Sequence, residues 1–169
     1  MMELIIWILG GAMIVFGSVL FFGPPYVPTL KKQVEAALDL LDLKSGQTLL
    51  ELGAGDGKVM KAAAQRGWNV IGIELNPILV LIALWRCRKY RSQVKIRWGS
   101  VWSVRWPQTD GVFTFFLSRD MGRLDRYIQL WHRQPVRVAS FAFKIPGREI
   151  IAEKSGVFLY EYKKEKDAN

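Results

Sequence analysis

Residues 51 to 57, Glu-Leu-Gly-Ala-Gly-Asp-Gly, put three glycines and two carboxylates into one short stretch. Seventeen positions past the last glycine a further acid, Glu74, closes the apolar run Asn69-Val-Ile-Gly-Ile-Glu74. Glycine takes positive φ at little cost and lets a backbone come close to a ligand, and a helix that starts after such a turn offers unpaired N–H groups. A carboxylate at the tip of the neighbouring strand can accept both hydroxyls of a ribose. A glycine turn beside an acidic strand tip suggests a nucleoside-containing cofactor.

The spacing separates the candidates. A dinucleotide fold prefers Gly-x-Gly-x-x-Gly, whereas these glycines fall at Gly53, Gly55 and Gly57, with Lys58 where a third glycine is wanted. A nucleotide triphosphate site ends Gly-Lys-Ser/Thr, and Gly57-Lys58 is followed by Val59. Both classes are disfavoured. His132 is the single histidine and Cys87 the single cysteine, so the chain can build neither a Cys/His metal cluster nor an internal disulfide. No metal site and no Ser-His-Asp chemistry is expected. Cys87 lies in helical context as a small packing residue, and His132 is given no catalytic part.

The elements that must position these residues read as an alternation. Thr48–Leu52 is a first strand, 58–65 a crossover helix stopped by Arg66-Gly67, and 70–74 a second strand. Asn76-Pro77 looks like an N-cap and first helical residue, opening a helix to about Tyr90. Then come strands at 94–98 and 111–117, a helix at 124–131, a strand at 136–143, and a closing antiparallel pair at 149–154 and 157–162 around Ser155-Gly156. Strands alternating with helices predict a mostly parallel sheet covered on both faces, with the final hairpin as an antiparallel edge. Ligands in such α/β sheets lie beyond the C-terminal strand ends, where Gly53, Glu74, Ser100 and Ser118 are expected to collect.

Ahead of this domain, Leu4 to Phe22 gives nineteen residues without a charge. As a helix it would be about 28 Å long, near the hydrocarbon thickness of a bilayer. The acidic start Met1-Met2-Glu3 and the exit Gly23-Pro-Pro-Tyr26 suit an uncleaved anchor better than a signal peptide. The expected division is a transmembrane anchor at 1–23, a linker and pre-domain helix at 24–46, the catalytic domain at 47–164 and a tail at 165–169. Thr29 is expected to cap the pre-domain helix, from about Leu30 to Leu43. Lys31 and Lys32 follow the span while only Glu3 precedes it, which predicts a single-pass protein with its globular part on the cytoplasmic side. The net charge of +9 reads as a surface drawn to anionic lipid headgroups, with nucleic acid as the competing partner.

An acid two positions ahead of Gly-x-Gly-x-Gly, followed by Glu74, resembles the first two motifs of class I S-adenosylmethionine-dependent methyltransferases. With 25–29, Pro-Tyr-Val-Pro-Thr, 72–77, Gly-Ile-Glu-Leu-Asn-Pro, and 141–146, Phe-Ala-Phe-Lys-Ile-Pro, most of the chain is similar to the family of lysine N-methyltransferases that modify the ATP synthase c-subunit. The resemblance implies a Rossmann-like α/β methyltransferase sheet and S-adenosylmethionine as cofactor. It also implies a lysine of a membrane-associated protein as acceptor. By matching positions, Glu51, Gly53, Gly55 and Gly57 line the methionine portion, Asp56 touches it through its side chain, Glu74 holds the ribose, and Ser100 and Val101 flank the adenine. Tyr26, Thr29 and Ser118 are the candidates for the acceptor side. Where the family commonly has an aspartate after the third strand, this chain has Ser100, and no Arg-rich presequence of the mitochondrial type is expected. A nucleic-acid amino-methyltransferase would show Asp/Asn-Pro-Pro-Tyr after its fourth strand, and the chain has Phe115-Phe-Leu-Ser-Arg119 there. Nucleic acid is therefore disfavoured as acceptor. A small-molecule or lipid methyltransferase and a noncatalytic cofactor binder stay as alternatives, and the sequence leaves the oligomeric state open.

Overall fold

The computed structural model describes residues 1–22 and 29–163, with the side chains of residue 12 and residues 14–22 left outside the description. Its elements run α1 (Met2–Phe22), α2 (Lys31–Leu41), β1 (Thr48–Leu52), α3 (Lys58–Gln65), β2 (Asn69–Glu74), α4 (Pro77–Arg86), β3 (Val94–Trp98), β4 (Gly111–Thr114), α5 (Met121–Trp131), β5 (Val136–Phe141), β6 (Ala152–Lys154) and β7 (Val157–Tyr162). The strands form one sheet in the order β3-β2-β1-β4-β5-β7-β6. The first five pair in parallel and β7 enters antiparallel between β5 and β6. This is the mostly parallel, Rossmann-like sheet expected, with the hairpin as its antiparallel edge.

Alternation along the strands sends side chains into two cores, one on each face. In β7, Val157 and Leu159 join Leu38 and Leu41 of α2 and Met60 and Ala63 of α3, while Phe158, Tyr160 and Tyr162 join Leu124 and Ile128 of α5. Trp106 lies in the second core at 2% exposure, its indole N–H donating to the Val101 carbonyl at 2.7 Å. His132 is buried too, 2.9 Å from the Thr109 hydroxyl, and burial pushes its pKa down to about 4. At neutral pH it is an uncharged core residue. Cys87 is likewise buried, its thiol donating to the Gly57 carbonyl at 3.7 Å and pushed up to about 11 by burial.

Several boundaries move from those expected, each for a local reason. The N-cap of α2 is Leu30 rather than Thr29, with no side-chain cap, and the helix stops at Leu41 because Asp42 turns left-handed at φ 46°. α4 stops at Arg86, and residues 88–90 form a separate 3-10 turn. β4 ends at Thr114 because its partner β1 ends opposite it, at Leu52. Phe115 then meets Phe141 at 4.6 Å between ring centroids and Phe116 enters the second core, so the apolar run continues past the strand. β5 ends at Phe141 because Ala142 takes φ 68°. β6 starts at Ala152, leaving the first part of the expected strand in the connection.

α1 is a helix of 21 residues, and Leu4 through Leu9 are all exposed, with Trp7 at 78%. Among the residues fully described, which for α1 means little more than its first half, no helix is long and apolar enough to cross a membrane.

Candidate functional site

β1 is buried from Leu49 to Leu52, and its chain emerges into the glycine turn at the C-terminal edge of the sheet. The N–H groups of Gly53 and Ala54 both donate to the Ile73 carbonyl, at 2.9 and 3.0 Å, which moors the turn to β2. Gly53, Gly55 and Gly57 have φ of 77°, 54° and 77°, a region that costs an ordinary L-residue about 1–2 kcal/mol. The two outer glycines serve different ends. A Cβ on Gly57 would lie 2.9 Å from Cβ of Ala83, so this glycine allows α3 and α4 to touch. A Cβ on Gly53 would meet only the Phe116 ring, at 3.8 Å, and Gly53 is exposed. Space is left at Gly53 where a ligand can lie against bare backbone.

Glu74 is 8% exposed, and both its oxygens are engaged. One accepts from the Gly55 N–H at 2.8 Å and the other from the Asn76 N–H at 2.7 Å. The carboxylate thus clasps the glycine turn to the start of α4, which Asn76 caps by accepting from the Ile78 N–H at 2.9 Å. Each carboxylate oxygen can accept a second hydrogen bond, so the clasp leaves capacity for a diol.

Glu51 lies beneath the turn at 3% exposure, with one carboxyl oxygen lacking any partner in the protein. Burial first, then the nearby charges of Asp56 and Glu74, push its carboxyl well above the usual range, with the Met60 backbone N–H acting the other way. A buried, unpartnered carboxyl costs free energy unless something satisfies it. A protonated amine does so by charge and by hydrogen bonding, and a sulfonium by charge alone. The glycine turn, the spare acceptors of Glu74 and the orphaned oxygen of Glu51 together suit a nucleoside that bears an amino acid and a positive charge.

The other expected site residues divide. Ser100 and Val101 follow β3 beside this crevice, where the Gly99 N–H donates to the Glu74 carbonyl at 2.9 Å. The Ser100 hydroxyl accepts from the Trp102 N–H at 3.3 Å, so it serves its own turn as well. The Asp56 carboxylate pairs with Arg86 at 2.9 Å and with Lys58 at 3.5 Å. Its first role is to bind the turn to the end of α4. Thr29 is partly buried ahead of α2, and Ser118 is exposed on a 3-10 turn instead of a strand end. Tyr26 lies outside the described residues.

An aromatic wall stands beside the crevice, with little trace in the sequence. Trp102 contacts Phe116 at 5.1 Å and Tyr127 at 5.3 Å, and the Arg123 guanidinium lies over the Trp102 ring at 4.5 Å. Phe116 joins this wall to Gly53. The aromatic pair 115–116 after β4 is its one sequence signal. A cavity of about 260 Å³ lies at the other end of the sheet, where Gln47 and Asp110 bond each other at 3.1 Å, and takes no part in this site.

Known proteins share this fold. An RNA methyltransferase from Salinibacter ruber, solved with S-adenosyl-L-homocysteine, superposes with a TM-score of 0.74 at 24% identity over 85% of this chain and 97% of its own. The mouse lysine N-methyltransferase of the ATP synthase c-subunit is 33% identical over 126 residues, covering 72% of this chain and 50% of that protein, and the human one is 30% identical over 72% and 53%. The chain thus spans about half the length of these relatives. A protein-lysine N-methyltransferase from Saccharolobus islandicus is 28% identical over 80% of this chain and 92% of its own length. The profile of the ANTKMT methyltransferase domain matches residues 51–152, from Glu51 through the glycine turn, Glu74 and the aromatic wall, and the chain belongs to that family.

Proposed function

We propose that this protein is an S-adenosylmethionine-dependent protein-lysine methyltransferase, anchored by α1 in a membrane and acting on a lysine of a membrane-associated protein. The observation that carries the chemistry is the meeting of the glycine turn, the Glu74 carboxylate and the unpartnered Glu51 carboxyl at the tips of β1 and β2. Glu74 and the turn would hold the ribose, Glu51 the methionine end, and Ser100 and Val101 the adenine side. When bound, the cofactor supplies an electrophilic methyl on a sulfonium. The protein's part is to align an amine in line with it and keep water away.

The acceptor must arrive uncharged. At pH 7 a lysine with its reference pKa is protonated, and deprotonating it costs about 4.6 kcal/mol unless its surroundings help. A strongly basic protein helps by disfavouring a second cation. Lysine as acceptor is supported by the relatives named for the ATP synthase c-subunit, by one named for adenine nucleotide translocase in mouse, and by the archaeal protein-lysine enzyme. The anchor is supported by the uncharged stretch Leu4 to Phe22 and by six consecutive apolar side chains on α1 that are exposed. Lys31 and Lys32 favour a cytoplasmic catalytic domain.

The test is fractionation. Membranes incubated with the full chain and methyl-labelled cofactor should carry label in protein, recovered after hydrolysis as methyl-lysine. Label confined to RNase-sensitive material, or to extractable lipid, would replace lysine with that acceptor.

A further inference from the structure

We infer that the outer face of α4 is a second membrane contact, a docking surface for anionic lipid borne by the catalytic domain itself. The helix sequence Pro-Ile-Leu-Val-Leu-Ile-Ala-Leu-Trp-Arg is apolar almost throughout, yet only Leu79 and Ala83 are buried. Leu81, Leu84 and Trp85 are 66%, 49% and 66% exposed. Positions i, i+3 and i+4 share one helix face, so these three form a single apolar patch. Basic residues continue it: Arg88 lies over the Trp85 ring at 4.5 Å, and Lys89 and Arg91 are exposed in the next turn.

Apolar side chains including tryptophan, edged by cations, match the boundary between acyl chains and acidic headgroups. The same cations argue against a second copy of this chain, because two such faces would set like charges together. The patch also lies beside the glycine turn of the proposed cofactor crevice, because Arg86, next to Trp85, pairs with Asp56 at 2.9 Å. Trp98, 68% exposed at the end of the edge strand, donates its ring N–H to the carbonyl of Leu75, between Glu74 and Asn76, at 2.9 Å. Docking here would turn the strand tips toward whatever the membrane presents. This inference deepens the membrane reading above and rests on it.

The full chain, reconstituted in phosphatidylcholine vesicles with and without phosphatidylserine, gives the test. Leu84→Cys is labelled with an environment-sensitive fluorophore, the native Cys87 being buried and held protonated. Leu81→Cys serves as the second site and Glu153→Cys, on β6 at the opposite sheet edge, as the control. The label at 84 or 81 should be quenched by nitroxide lipids and lose most of its quenching by aqueous iodide when phosphatidylserine is present. The label at 153 should not, and R88E, K89E and R91E together should reverse the effect at 84. Retention through an alkaline wash reports separately on α1. A retained chain whose labels at 84 and 81 stay in water overturns the docking, whereas lipid quenching at 84 in a chain that the wash removes upholds it and overturns the anchor. Shielding that grows with protein concentration, indifferent to phosphatidylserine, would place a second copy on the face and overturn lipid.

Discussion

Glu51 is held in a state that its own ligand should reverse. Its raised pKa means that the fold favours the neutral carboxyl, an advantage complete below the ordinary carboxylate range and lost as pH rises through the raised value. A cation beside the orphaned oxygen favours the charged form instead, so binding should release a proton from Glu51. Calorimetry in buffers of different ionisation enthalpy should detect that release below the raised pKa, with affinity improving as pH rises. Glu51→Gln keeps the neutral shape, so its denaturation midpoint at pH 8 should equal or exceed that of the parent while cofactor affinity falls about tenfold, or about 1.4 kcal/mol. Unchanged affinity together with unchanged proton release would dismiss Glu51 as a cofactor contact. The acid at this position is legible in the sequence because it stands in a fixed relation to the glycines. The ion pair of Asp56 is not, since Arg86 lies thirty positions away and only the packing of α4 brings it back.

Among the elements, the turn between β1 and α3 divides its labour between packing and binding, and substitutions should separate the two. Gly53→Ala and Gly57→Ala meet similar positive-φ strain, but only the second drives a methyl into Ala83. Gly57→Ala should therefore be the less stable by a further 1–3 kcal/mol or so in urea denaturation. Gly53→Ala should fold and lose cofactor binding, and equal denaturation midpoints would refute this division. β1 and α3 fall where the sequence places them, because apolar residues are bracketed there by glycines and charges, and β3, largely exposed at the sheet edge, is marked by the alternation of Val94, Ile96 and Trp98 with Lys95 and Arg97. β4 is shorter than its apolar run suggests, because such a run does not reveal whether its residues are buried by pairing or by stacking at a strand tip. α4 hides the most. Its composition reads as a buried helix, and its exposure follows from its place beside the edge strand, which leaves few neighbours to cover it.

At the scale of the whole molecule, the charge of +9 acts beyond any one contact. A charge of that sign should repel a free cationic peptide and attract a vesicle of acidic lipid, so salt should move the two proposed reactions in opposite directions. Raising ionic strength from about 0.05 M to about 0.5 M shortens the screening length to a few ångströms. Initial rates should then rise several-fold for a soluble lysine peptide and fall for an acceptor embedded in phosphatidylserine vesicles. Parallel responses would remove electrostatic presentation from the account. The sheet order adds a consequence for biosynthesis. β7 is the keystone between β5 and β6 and fills both cores, yet it is the last of the seven strands to be made, whereas α1 leaves the ribosome before any of them. On the function proposed above, targeting through α1 would begin while the domain still lacks its locking strand, and methylation competence would wait until translation has passed residue 162.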